Sequence, residues 1–350
     1  MENLPDGGYI VHVEPVAFIP VAIIAGIGVV MTSVFIAVNI KYRGYKLLKM
    51  TSPNLNLVML CGALLLCVST VLFGSTAWLP ESPHQELLDI VWQINHAGIW
   101  TASVGFTLFF APLATKTWRV HRIFTDAAVK GRVIKDDRLL CIVALFVIFD
   151  FGYLALWFGI DPPKCYVIPT SQLPGFFPVS PVNDVSEELP TSSTVMTSLE
   201  HGFTCASKYT PLWIIILMSY KGALLYYILY VAWATRYVTL PSMKDAGGLI
   251  ISVFATLTSF CIATPLVTSL QRWPNPQYIV MSSAIFVPLF TVMFLHFVPK
   301  LILIRRHSKD EVLTRSFSQY TTPKQPEFSE DEIRDLAIQN ASLRKEMAEV

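Results

Sequence analysis

The 350 residues are 53% hydrophobic and 15% charged, with a mean hydropathy of +0.52. A soluble domain carries nearer a quarter of its residues charged, so the composition excludes one and defines an integral membrane protein. The net charge of +1 excludes nothing by itself, because such chains sort their charges by side of the membrane.

The first residues hold Glu2, Asp6 and Glu14 where a cleavable signal would be basic. The first span is therefore expected to act as its own insertion signal, behind an outer tail, 1–15, too short for a folded domain. Seven apolar runs are long enough to cross about 30 Å of hydrocarbon at about 1.5 Å per helical residue. They read as Val16 to Ile40, Pro53 to Trp78, Leu88 to Pro112, Leu139 to Ile160, Pro211 to Trp233, Gly247 to Leu270 and Tyr278 to Ile304. Lys41, Arg43, Lys46 and Lys49 follow the first. Lys116, Arg119, Arg122, Lys130, Arg132, Lys135 and Arg138 lie between the third and fourth, and Lys300, Arg305 and Arg306 follow the last; the opposite side holds Lys164, Lys208 and Arg272. The positive-inside rule places the N-terminus outside and the C-terminus in the cytosol. Trp78, Trp157, Trp213 and Trp273 at outer ends, with Trp118 and Trp233 at inner ones, form the matching aromatic belts. The expected architecture is an all-α membrane protein, a seven-transmembrane bundle over 16–304.

Cys61, Cys67, Cys141 and Cys261 fall in apolar runs. That leaves Cys165 and Cys205 in the long outer loop after Asp161, and room for one extracellular bridge at most. Beyond a cytosolic linker at 305–328, Ser329 to Glu332 has the capping-box pattern that starts a helix. Ile333, Leu336, Asn340, Leu343, Met347 and Val350 then recur at alternating steps of three and four, so 329–350 reads as a dimerising coiled coil with Asn340 at an a position. The competing reading is an amphipathic helix with no partner, because so few heptads are marginal alone.

Asp150 and Lys221 each lie about ten residues from the outer end of a span, and an ionisable group at that depth costs at least about 2.5 kcal/mol unless it faces a partner or cavity. They read either as a polar switch in the bundle or as a fixed packing pair. His96 and His296 read as hydrogen-bonded packing residues. A seven-helix zinc hydrolase needs about three clustered ligands, which two histidines at opposite depths do not supply. A retinal protein needs a mid-membrane lysine in its last helix, whereas Lys300 lies at the cytoplasmic end. A transporter or channel using Asp150 is the alternative that survives, although no internal repeat supports it. No catalytic chemistry, cofactor, metal or nucleic-acid partner is expected.

Lys116-Thr-Trp-Arg-Val-His121 with Ile123-Phe124, then Ile134-Lys135-Asp136 and Leu139-Leu140, resembles the second intracellular loop of GABA-B-type receptors, which are class C G protein-coupled receptors. Ser52-Pro53-Asn54, Phe73-Gly74, Asp150, Asp161-Pro162, Tyr220-Lys221-Gly222 and Phe297-Val-Pro299-Lys300 are similar at matching places. The short outer tail resembles the orphan members that lack the Venus-flytrap ectodomain, and Asn95 stands where the family carries a cysteine that pairs with the second outer loop. Cys165 and Cys205 are accordingly expected to pair with each other.

The resemblance implies a plasma-membrane receptor for a heterotrimeric G protein of the inhibitory type, either tuned weakly by a bundle ligand, active without one, or dependent on a partner subunit. Contact is expected through Arg119, Arg122, Phe124 and Lys300; the same basic residues can also touch anionic lipid. The resemblance further implies an inactive-state lock between Lys116 and Asp245. It is compatible with a homodimer or with a heterodimer of related subunits.

Overall fold

The computed structural model describes residues 9–11, 13–43, 52–78, 85–125, 136–169, 200–234, 246–270 and 273–320. Its helices are α1 (Pro15–Lys41), α2 (Pro53–Gly74), α3 (Gln85–Thr125), α4 (Asp136–Ile160), α5 (Thr210–Ala234), α6 (Ala246–Ser269) and α7 (Pro274–Tyr320). Among the described residues, seven helices are long and apolar enough to cross a membrane. Isoleucine and valine cover their outer faces, as at Ile23, Ile27, Ile148, Ile215 and Ile251. A helix apolar all round suits a lipid solvent, in which its own carbonyls satisfy every backbone N–H.

The bundle is organised around α3. Two thirds of its span (67%) is buried, against 22% for α4 and α6. Small residues make this possible. A Cβ built on Gly62 of α2 would lie 2.5 Å from the Phe109 nitrogen, and one on Gly105 of α3 would lie 3.1 Å from the Leu66 nitrogen, so the two backbones touch at reciprocal glycines. Leu55, Ala111, Leu139 and Val143 close the inner half between α2, α3 and α4. Val13, Ala17, Val21, Ala25, Ala77, Tyr278 and Phe286 close α1 against α2 and α7, where the Tyr278 hydroxyl donates to the Thr70 carbonyl at 3.0 Å.

Three features depart from the sequence reading. The basic stretch from Lys116 to Phe124 is helix rather than loop, because α3 runs on to Thr125 past the apolar span. Between the fourth and fifth spans, β2 (Lys164–Pro169) and β3 (Glu200–Ala206) form an antiparallel hairpin, and β1 (Tyr9–Val11), inside the segment read as a tail, adds to β3 in parallel. The all-α bundle thus carries a three-stranded sheet at its outer end. Residues up to Pro299 form one compact unit; from Lys300 a second unit begins, whose backbone is helical to Tyr320, over much of the stretch read as linker. The coiled-coil positions from Ile333 to Val350 lie outside the described residues.

Candidate functional site

The chain places charge at three depths. At mid-span, Asp150 of α4 is fully buried and the Lys221 side chain of α5 is 7% exposed. Lys221 Nζ donates to Asp150 Oδ1 at 2.7 Å and Oδ2 at 2.6 Å, to Thr107 Oγ1 at 2.5 Å and to the Ser103 carbonyl at 3.1 Å. The Thr107 hydroxyl in turn donates a hydrogen bond to Asp150 Oδ2, since one hydroxyl can donate and accept together. The centroids of Tyr220 and Phe106 lie 5.1 and 5.5 Å from Nζ, within cation–π range. One α3 face, unmarked along the chain except by its small polar residues, thus completes a pair contributed by α4 and α5.

At the inner end a clasp joins α2, α3 and α4. Arg119 Nη1 donates to Ser52 Oγ at 2.7 Å and to Asp136 Oδ1 at 3.0 Å, and Ser52 Oγ donates to the same carboxylate oxygen at 2.7 Å. Ser52 has φ 56° and ψ 79°, left-handed backbone that costs a non-glycine residue about 1–2 kcal/mol, and its hydroxyl is held by two charged partners. Asn39 Nδ2 donates to the Pro53 carbonyl at 2.9 Å, which brings α1 into the cluster. Lys116 donates to Asn56 Oδ1. Arg122 is exposed and lies 5.2 Å from the Trp118 ring centroid. Asp245 lies outside the described residues; Phe124 and Lys300 are described as backbone of α3 and α7. Ser52 and Asp136 were legible only as members of matched motifs and Asn56 belonged to none, because the Ser52–Asp136 and Asn56–Lys116 contacts span 84 and 60 residues.

At the outer end Cys165 and Cys205 face each other in register across the hairpin and are disulfide-bonded. Asp161, just past α4, accepts the N–H groups of Lys208 at 3.2 Å and Tyr209 at 2.9 Å and the Trp213 indole at 3.3 Å. Desolvation raises the Asp161 pKa, but hydrogen bonds from Ser207, Tyr209, Lys208 and Trp213 outweigh it, and the carboxyl sits below its ordinary value. His96 packs among Trp92, Trp100 and Phe158, and His296 against Phe297. Among the described residues no three His, Cys, Asp or Glu are grouped to hold a metal.

A seven-helix bundle with a polar hub at mid-depth and a basic, clasped inner end is the architecture of a multi-pass membrane protein. Residues 11–300 match the family described as "7 transmembrane sweet-taste receptor of 3 GCPR", and the chain belongs to this class C G protein-coupled receptor family. It is similar to human Gamma-aminobutyric acid type B receptor subunit 2, with 31% identity over 321 residues, covering 91% of this chain and 32% of the relative. It is also similar to mouse Probable G-protein coupled receptor 156, with 29% identity over 327 residues, 92% of this chain and 38% of the relative. Against Gamma-aminobutyric acid type B receptor subunit 2 of Caenorhabditis elegans the identity is 26% over 296 residues, 85% of this chain and 32% of the relative. The chain spans about a third of the length of the curated relatives it matches. By family and by its seven apolar helices it is a multi-pass protein of the plasma membrane.

Proposed function

We propose that this chain is the signalling bundle of a GABA-B-like receptor that activates a heterotrimeric G protein of the inhibitory type from its cytoplasmic face. The observation that carries this reading is the inner clasp: Ser52, Arg119 and Asp136 hold the roots of three helices together beside Lys116, while Arg122 stands exposed on the next turn. Arg122, Phe124 and Lys300 are the contact residues of this proposal. Arg119, whose side chain is 18% exposed and already engaged, acts by positioning Arg122 and Phe124 of its own helix. The transporter reading is disfavoured by the family match and by Lys221, which already pairs with the fully buried Asp150 carboxylate.

Lys116 and Asp245 form the inactive-state lock of this proposal. A bridge present only in the closed state biases a two-state equilibrium, and about 1.4 kcal/mol of bias is a tenfold shift. Asp245→Ala is expected to raise ligand-free activity several-fold, and Lys116→Asp with Asp245→Lys to restore part of the basal level. Assembly with a second copy or a related subunit would run through Ile333, Leu336, Asn340, Leu343 and Met347. Leu336→Ala with Leu343→Ala should then weaken dimerisation in cells.

The central test is G protein dissociation in cells expressing this chain alone with no ligand added. Dissociation of the inhibitory-type protein above vector control is expected. A signal equal to vector at verified surface expression overturns activation without ligand or partner; co-expression of a related subunit then decides the partner-dependent form, and no signal there overturns coupling itself.

A further inference from the structure

The surroundings of the Lys221 ammonium are built like the coordination shell of a metal ion. An ammonium has three N–H groups, yet four oxygens from α3 and α4 lie within 3.1 Å of Nζ: both oxygens of Asp150, the Thr107 hydroxyl and the Ser103 carbonyl. Carboxylate, hydroxyl and carbonyl oxygens with no nitrogen or sulfur among them form the donor set of a hard cation. Ser103, which supplies the carbonyl, is 5% exposed, and its own hydroxyl has no hydrogen-bond partner among the described residues. The rings of Phe106 and Tyr220 add their electron-rich faces.

We propose that this is a monovalent-cation site, of sodium type by its charge and oxygen donors, which the chain keeps filled with its own ammonium. Asp150 alone supplies one negative charge, so a single positive charge balances the cage and a divalent ion would overcompensate it. Because Lys221 is tethered, the native bundle has its counter-charge at every salt concentration and its stability is indifferent to sodium. Withdrawing the ammonium leaves Asp150 uncompensated in low dielectric, the condition that draws a small cation in.

The test uses the full chain, purified in lipid nanodiscs and melted in about 0.15 M sodium chloride or choline chloride, which match in ionic strength. Choline is too bulky for the cage. The native chain is expected to melt at one temperature in both salts. Lys221→Ala should melt lower in choline chloride and recover about 2–4 °C in sodium chloride, and adding Asp150→Asn should abolish that recovery. If Lys221→Ala gives no folded protein, Lys221→Gln keeps most of the volume without the charge and makes the same comparison. The proposal is overturned by a folded Lys221 variant that melts alike in both salts, by a sodium gain that survives Asp150→Asn, or by a sodium-specific shift in the native chain.

Discussion

Two ion pairs among the described residues of this bundle each join a basic side chain to an aspartate and differ in where they stand. Asp150 and Lys221 meet at mid-span with side chains 0% and 7% exposed; Arg119 and Asp136 meet at the inner rim with side chains 18% and 31% exposed. Breaking a buried pair leaves a lone charge with no water to solvate it, at a cost of about 3–5 kcal/mol, whereas a rim pair is worth at most about 1 kcal/mol after screening. The first therefore decides whether the bundle folds. The second has too little energy to decide folding and enough to tilt a conformational equilibrium.

The largest effect follows from the buried pair. Asp150→Asn or Lys221→Met alone should lower surface expression strongly, and the double substitution should recover part of it, since it removes the uncompensated charge. Strictly additive losses would show that the two residues have separate energetic partners.

α3 contributes to both constellations, so its seating against α2 comes next. A Cβ at Gly62 would meet backbone atoms at 2.5 to 2.8 Å, and α2 and α3 must part to admit it. Gly62→Ala should cost about 1–3 kcal/mol by overpacking and lower the melting temperature. Gly152→Ala and Gly222→Ala, with nothing within 4 Å of the added carbon, should be neutral or slightly stabilising. Equal melting of all three variants would mean that the glycine seam does not set the helix spacing.

Arg119→Ala should cost about 1 kcal/mol or less, shrinking at high salt, while changing basal G protein activity clearly at matched expression. Arg119→Asp with Asp136→Arg should restore the basal level in part. A thermal loss as large as that of Lys221→Met would erase the distinction between rim and core.

The smallest effect belongs to Asp161 at the outer rim. Its pKa is depressed in the folded chain, so the stability it contributes is fully present above its unfolded value of 3.8 and is lost as pH falls through the lower folded value. Acidification over that window should loosen the β2–β3 hairpin root at Lys208 and Tyr209, read as a change in Trp213 fluorescence. Asp161→Asn should remove this acid transition, and its persistence would assign the transition to another group.

Seven spans, their order and their direction were legible in the chain because hydrocarbon thickness fixes the length of a span and membrane insertion sorts Lys and Arg, both of which are counted along a sequence. Asp150 and Lys221 were legible as anomalies for the same reason, since a charge inside an apolar run stands out locally. The outer hairpin was less visible. Cys165-Tyr-Val-Ile168 and Phe203-Thr-Cys205 carry β-forming residues, but the long polar loop between them obscures the pairing. The extension of α3 was hidden by composition, because a helix leaving the bilayer turns polar without ending. Only tertiary structure decided which carboxylate each cation meets. Thr107 and Ser103 joined the buried pair because the Gly62–Gly105 contact seats α3 at the centre, and Arg119 found Asp136 because Ser52 holds a left-handed backbone between them. Those partners are set by backbone approach across 17 to 118 residues, a quantity that no local pattern of side chains encodes.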